Sequence, residues 1–199
     1  MIILKIWELE QFCKRWNEKL DSYKQQDLSA DFDKFFTAFV IYNRIYNVVE
    51  VVLNETGGFT ELKKLGLIEK NRNIVLEKNA ATICVAYYLQ QHTEELLNKL
   101  DKEINTFKNA IEKKQFYFYL YYGKRKRTKD LELLQGLNSL NETEKLSSLL
   151  CIIYHLRCNL FHGEKGYNPD QSIILRPAII CLTEISRILL VKLRNHENL

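Results

Sequence analysis

The chain has 199 residues, 46% of them hydrophobic, and a net charge of +4, so it is long enough to bury the core of one domain. It contains only 2 prolines and 7 glycines. That is too few to form the many turns of a β-sandwich, or the glycine-rich turn of a dinucleotide-binding sheet. The composition therefore excludes these sheet classes and predicts long helices.

The five cysteines indicate the compartment. Four of them lie in apolar helical segments, where free cysteine behaves as a small hydrophobe, and no two form a CxxC pair. This usage is typical of a reducing compartment and argues against a disulfide framework or a zinc site. Because Glu8 and Glu10 interrupt the apolar N-terminus and the apolar runs at 149–156 and 185–193 are short, we expect neither a signal peptide nor a membrane span. The sequence predicts a soluble cytoplasmic protein.

Helical periodicity predicts one all-α domain over 1–199, with an N-terminal helix appended to a core of about 30–195. The predicted helices are 4–23, a second from after Ser29 to Gly57, a short one within 59–73, one stretch from Glu77 to Ile111, and then 130–137, 144–161 and 172–196. Ser29 is a suitable N-cap, 141–144 is a reasonable helix start, and Gly57 suits a helix end. The aromatic segment 115–122 fits either a strand or a helix.

The helix before the loop at 163–170 carries the most chemical information. Arg157 falls at the border of its apolar stripe, where burying an unpaired guanidinium would be costly. Arg157 therefore needs an acidic partner or an anionic ligand. In the structural alternative, Glu184 or Glu50 is that partner and His162 only caps the helix C-terminus.

The string Arg157-Cys-Asn-Leu-Phe-His162-Gly163, at the end of an apolar helix in a helical chain, resembles the R-x4-6-H signature of the HEPN superfamily. It is most similar to the Apea-like and abortive-infection branches. The aromatic segment 32–46 also resembles the first core helix of such domains, and the likeness covers roughly residues 30–195 in layout. It implies an up-and-down helical bundle with additional helices. It also implies a homodimer in which two motifs face one cleft.

The resemblance further implies a metal-independent endoribonuclease of the toxin or phage-defence kind, without a cofactor. By carry-over, His162 would move protons at the RNA 2′-OH or the leaving oxygen, and Arg157 would bind the scissile phosphate. The family often has a polar residue directly after the arginine. Here that residue is Cys158, so Asn159 is the candidate for the polar contact. His155 is expected to be a helix-face or interface residue.

An antitoxin or a sensor protein is a further candidate partner. The alternative function is a catalytically silent HEPN-like module that binds RNA or a protein, which Cys158 beside the motif arginine favours. A purely structural helical protein is a third possibility.

A second feature is the basic segment 113–129, which holds seven positive charges and no acid. Removing these charges from the net +4 leaves −3 on the rest of the chain. Cations that bind phosphates beside aromatic rings are suited to single-stranded RNA. The residues expected to contact RNA are Lys124, Arg125, Lys126 and Arg127. The alternative is a solvated basic loop that follows an aromatic core segment.

Overall fold

The computed structural model describes residues 2–70, 75–121, 124–161 and 171–196. Most of these residues are helical, which confirms the predicted all-α class. The helices are α1 (Ile2–Ser22), α2 (Leu28–Glu55), α3 (Gly58–Lys64), α4 (Glu77–Asn79), α5 (Val85–Tyr88), α6 (Thr93–Lys99), α7 (Asp101–Glu112), α8 (Arg127–Leu137), α9 (Glu142–Phe161) and α10 (Ser172–His196). The strands in the described ranges are β1 (Leu120–Tyr121) and β2 (Lys124–Arg125).

The helices pack in two compact units, and each is described by itself. The first unit combines α1 and α2 with α10. The second unit contains the elements from α4 to α9, including the two strands. The expected single domain, with its N-terminal helix appended to a core, stays a prediction.

Helix α2 is the centre of the first unit, and both α1 and α10 pack against it. Its start is set by Asp27, whose side chain accepts a hydrogen bond from the N–H of Ala30 at 2.8 Å. The prediction that Ser29 caps this helix is therefore wrong, because Asp27 supplies the capping oxygen two residues earlier. The predicted end is confirmed: α2 stops at Glu55, and Gly57 follows with a left-handed φ of 79°.

A buried carboxylate joins α2 to α10. Asp31 is only 3% exposed and accepts a hydrogen bond from Nε of Arg176 at 2.8 Å. Nη2 of the same guanidinium donates to the backbone oxygen of Gln26 at 3.0 Å. This pairing compensates the cost of burying Asp31 and fixes the position of the two helices.

Helix α2 is also long and apolar enough, by length and composition, to cross a membrane. Most of the apolar window is buried inside the protein, as in the core helix of many water-soluble domains. The expectation that the chain spans no membrane stays a prediction.

The second unit does not contain the single helical stretch predicted from Glu77 to Ile111. That stretch is divided into α4, a π-helical turn (Ala80–Cys84), α5, a 3₁₀ turn (Gln90–His92), α6 and α7. Leu89 (φ −87°, ψ 0°) ends α5, and Leu100 (φ −98°, ψ 11°) separates α6 from α7. Leu89, Leu96 and Leu100 are each at most 1% exposed. The chain bends at these places and keeps the three leucines in the core, although no glycine or proline there signals a break.

The aromatic segment after α7 is extended in its described part. Lys114 adopts a left-handed φ of 55° after α7 ends, and the chain then leaves the helix. β1 pairs antiparallel with β2, with Leu120 opposite Arg125 and Tyr121 opposite Lys124. Of the two structures that the sequence left open for 115–122, the strand is confirmed for Leu120–Tyr121 only, and 116–119 form neither helix nor strand.

The last helices follow the predicted order with small shifts. α8 begins at Arg127, three residues before the predicted start. α9 begins at Glu142, within the predicted start at 141–144, and Oδ1 of Asn141 accepts the N–H of Glu144 at 3.1 Å. α10 runs over the predicted 172–196.

Candidate functional site

Arg157 lies in the penultimate turn of α9 with its side chain 24% exposed. Its Nη2 is 3.8 Å from Oε1 of Glu77 on α4, and Nη1 is 3.9 Å from Sγ of Cys158. The sequence suggested Glu184 as one acidic partner of Arg157, but Glu184 binds Arg187 at 2.6 Å. The acid that lies near Arg157 is Glu77, which the sequence did not suggest. An ion pair of this length with a half-exposed acid is weak. Glu77 is therefore an internal partner of the guanidinium, and the side chain remains partly accessible to an anion.

Two further side chains of α9, His155 and Tyr154, precede Arg157 by two and three residues. The ring of His155 lies 4.4 Å from that of Tyr119 and meets the ring of Tyr154 edge-on at 6.2 Å. Among the described residues, no hydrogen-bond partner reaches the buried Nε2 of His155. Burial, with a smaller contribution from Lys78, lowers the pKa of His155 to about 4. His155 is therefore neutral at neutral pH and is poorly suited to proton transfer there.

Tyr154 has the opposite perturbation. Burial raises the pKa of its phenol above the usual range, and the neighbouring Cys158 and Glu77 raise it further. The phenol therefore stays protonated over the physiological range. Tyr154 therefore cannot serve as a general base near Arg157 in this pH range.

Asn159 makes a structural contact in the last turns of α9. Its side chain is 4% exposed, and Nδ2 donates to the backbone oxygen of Phe118 at 2.7 Å. This hydrogen bond attaches the aromatic segment to α9, two residues beyond Arg157. The predicted catalytic support by Asn159 stays a prediction.

A second side chain, that of Asp130, binds the backbone of the same segment, and the sequence did not indicate this contact. Asp130 of α8 is completely buried, and its Oδ1 accepts the N–H groups of Phe118 at 3.1 Å and Tyr119 at 2.9 Å. These bonds satisfy two backbone donors that lie outside the described strands. In the sequence, Asp130 looked only like the start of a helix, since its partners lie 11 and 12 residues earlier.

The aromatic segment presents different side chains on alternate positions. Phe116 and Phe118 are buried, and the Phe118 ring packs edge-on against Phe107 at 6.0 Å. Tyr117 and Tyr119, between and after them, are half-exposed. The segment thus has a core side and a tyrosine side, as the period of an extended chain requires.

Cations lie over both rings of the tyrosine side. The guanidinium carbon of Arg125 is 4.3 Å from the ring centre of Tyr117, and Nζ of Lys78 is 5.8 Å from that of Tyr119. Both distances are within the range of cation–π attraction. Lys78 was missed by the sequence analysis because only the fold brings it to this segment, which begins almost forty residues later.

The four basic residues predicted to contact RNA have different surroundings. Lys124, Arg125 and Lys126 are exposed. Arg127 is only half-exposed, and its Nη1 donates to the backbone oxygen of Ile111 at 2.6 Å. That contact satisfies a carbonyl at the C-terminal end of α7. Arg127 therefore has a structural function that its place in the charge run did not indicate.

His162 and the rest of the predicted loop, 163–170, lie outside the described residues. The structure thus places Arg157 and Asn159 on α9 and the basic residues in the same unit. In the described ranges, no three His, Cys, Asp or Glu side chains are grouped as metal ligands. No protein-family model matches the chain, and no curated protein or solved structure matches it significantly.

We expect Asp130→Ala to destabilise the second unit strongly. The change leaves two backbone N–H groups, those of Phe118 and Tyr119, without their acceptor. The expected loss is about 2–4 kcal/mol in the free energy of unfolding. Chemical denaturation followed by far-UV circular dichroism measures it. The matched control is Glu132→Ala in the same helix, since an exposed pair with Lys129 contributes little; equal stability losses would contradict the assignment.

The low pKa of His155 makes the free energy of unfolding depend on pH. Its pKa is about 4 in the folded chain and returns to about 6.5 on unfolding, so the unfolded state binds more protons between these values. The free energy of unfolding should fall by up to about 3 kcal/mol as the pH drops from 6.5 to 4. His155→Phe keeps the ring contact but should remove this slope in pH-dependent denaturation. His92→Phe, at an exposed site, should retain it.

Proposed function

We propose that the chain is a metal-independent endoribonuclease of the HEPN type, with Arg157 and His162 as its catalytic residues. The observation that carries the proposal is the position of Arg157. Its side chain is 24% exposed near the end of an apolar helix, five residues before the histidine of the HEPN-like string. A partly desolvated guanidinium binds phosphate more strongly than a fully solvated one and remains accessible to it. Glu77, at 3.8 Å, is close enough to orient the guanidinium.

The chemistry needs only these two side chains and the substrate. His162 takes the proton of a ribose 2′-OH, and that oxygen attacks the adjacent phosphorus. The bond to the 5′ oxygen of the next nucleotide breaks, and the leaving oxygen receives a proton from a protonated His162 imidazole. Arg157 binds the phosphate oxygens as negative charge develops on them. The products are a 2′,3′-cyclic phosphate and a 5′-hydroxyl, and in a homodimer two copies of His162 would divide the roles of base and acid.

The surface that would hold the RNA lies in the same unit. Lys124, Arg125 and Lys126 are exposed. The guanidinium of Arg125 lies over the Tyr117 ring, and the backbone N–H of Lys126 donates to the backbone oxygen of Tyr119 at 3.0 Å. Phosphates would bind these cations while bases stack near the half-exposed tyrosines, as in other single-strand binding surfaces. The hydrogen bond from Asn159 holds the aromatic segment against α9, two residues beyond Arg157.

A catalytically silent RNA-binding module is the second candidate. Cys158 occupies the place where the family often has a polar residue, and its sulfur lies 3.9 Å from the guanidinium. A thiol is a weak hydrogen-bond partner, so it orients phosphate less well than an amide or a carboxylate. A cytoplasmic location and an antitoxin or sensor partner complete the proposal in either form.

The purified protein should cleave single-stranded RNA in the presence of EDTA. His162→Ala and Arg157→Gln should each reduce the cleavage rate by about 10²–10⁴, because each removes a group that acts in the transition state. Gel analysis of end-labelled RNA measures the rate. Two control variants should cleave at the wild-type rate: His92→Ala in the 3₁₀ turn and Arg44→Gln in α2, both at exposed positions.

The two candidate functions give different results in this assay. Equal cleavage by the wild type and His162→Ala would exclude the proposed enzyme. Binding of RNA without cleavage by the wild type would support the silent module.

RNA affinity should fall steeply with salt if the basic residues contact phosphates. Replacing Lys124, Arg125 and Lys126 together by glutamine should lower the slope of log affinity against log salt by about 2, the value for three single-strand phosphate contacts. Fluorescence anisotropy with a labelled oligonucleotide at several salt concentrations measures this slope.

The matched control replaces the exposed Lys14, Arg15 and Lys24 by glutamine. It removes the same charge from the first unit and should leave the slope unchanged. An identical change of slope in both triple variants would show that only net charge matters and would remove this surface from the account.

A further inference from the structure

The three helices of the first unit border a groove that the proposed ribonuclease activity does not use. Its volume is about 420 Å³, and α1, α2 and α10 all line it. This volume is within the range of small-molecule sites in proteins. Most of its wall is apolar, formed by Leu20, Ala38, Ile41, Leu182, Leu190 and Val191.

Two small side chains contribute to the hollow. Ala38 on α2 is 2% exposed and Ser186 on α10 is 5% exposed, and both line the groove. Larger side chains at these places would fill the space. The Ser186 hydroxyl is also buried without a hydrogen-bond partner in the described part of the chain, although a helical serine commonly donates to the carbonyl four residues earlier. A buried polar group in this state favours a ligand that brings a polar atom to it.

Two guanidinium groups line the groove on the α10 side, and each is paired with an acid. Arg187 and Arg194 line it and are 57% and 60% exposed. Glu184 and Glu10 hold these guanidinium groups in place, and a guanidinium with five N–H donors can bind a second carboxylate. Among the described residues that line the groove, the acidic one is Asp21, on α1.

We propose that this groove binds a small amphipathic carboxylate with an aliphatic tail. The tail lies against the apolar wall, and the carboxylate binds the guanidinium of Arg187, beside the Ser186 hydroxyl. Arg187 is chosen because it directly follows Ser186 in the sequence and lines the same groove. The site lies in the first unit and does not depend on RNA cleavage by the second.

Decanoate, kept below its micelle concentration, is a suitable probe in calorimetric titrations of the full chain. We expect one site with a dissociation constant on the order of 100 μM. Arg187→Gln should weaken decanoate binding about tenfold, because it removes the charged partner of the carboxylate. Decan-1-ol should bind the wild type and this variant equally. Arg15→Gln, an exposed arginine of α1 outside the groove, should bind decanoate like the wild type.

A second variant tests the cavity itself. Ser186→Leu fills the hollow and should abolish binding of both decanoate and decan-1-ol, while circular dichroism reports whether the bundle still folds. If this variant does not fold, Arg187→Gln still decides, because its side chain is on the surface. Absence of decanoate binding to the wild type, or equal affinity of the wild type and Arg187→Gln, would overturn the proposal.

Discussion

The second unit depends on two side chains that hold one short piece of backbone. Asp130 accepts the N–H groups of Phe118 and Tyr119, and Asn159 donates to the Phe118 carbonyl. A pair of two-residue strands is too short to be stable alone. With its backbone fixed from α8 and α9, the segment can bury Phe116 and Phe118 and leave the tyrosines on the other side. The exposed cations Lys124, Arg125 and Lys126 follow this segment in the chain.

His155 and Arg157, both near the end of α9, have different electrostatic surroundings and therefore different functions. Burial keeps His155 neutral at neutral pH, so it packs against Tyr119 and leaves proton transfer in the proposed mechanism to His162. Arg157 lies 3.8 Å from Glu77, and its side chain is 24% exposed. Phosphate binding requires a cation that is accessible to the ligand. A fully buried arginine would instead serve stability alone.

The helical class, the order of the last helices and the ends marked by Gly57 and Asn141 were predictable, because each depends on local sequence. The breaks in the second unit were not, since the burial of leucines such as Leu89 and Leu100 sets them without any glycine or proline. For the candidate site, the sequence predicted which types of residue are present but not which contacts they make. Four adjacent cations look alike in the sequence, yet Arg127 bonds to the end of α7. Likewise, only the fold reveals that Asn159 holds the Phe118 backbone.

The most direct test of the proposed chemistry changes the substrate, because attack by the 2′-OH is its central step. The measurement uses RNA oligonucleotides with one deoxynucleotide placed on the 5′ side of a mapped cleavage point, incubated with the protein in EDTA. The account predicts that this bond resists cleavage, that unmodified bonds are still cut, and that the products carry a 2′,3′-cyclic phosphate. Cleavage at the deoxynucleotide, or cleavage that requires a metal ion, would contradict it.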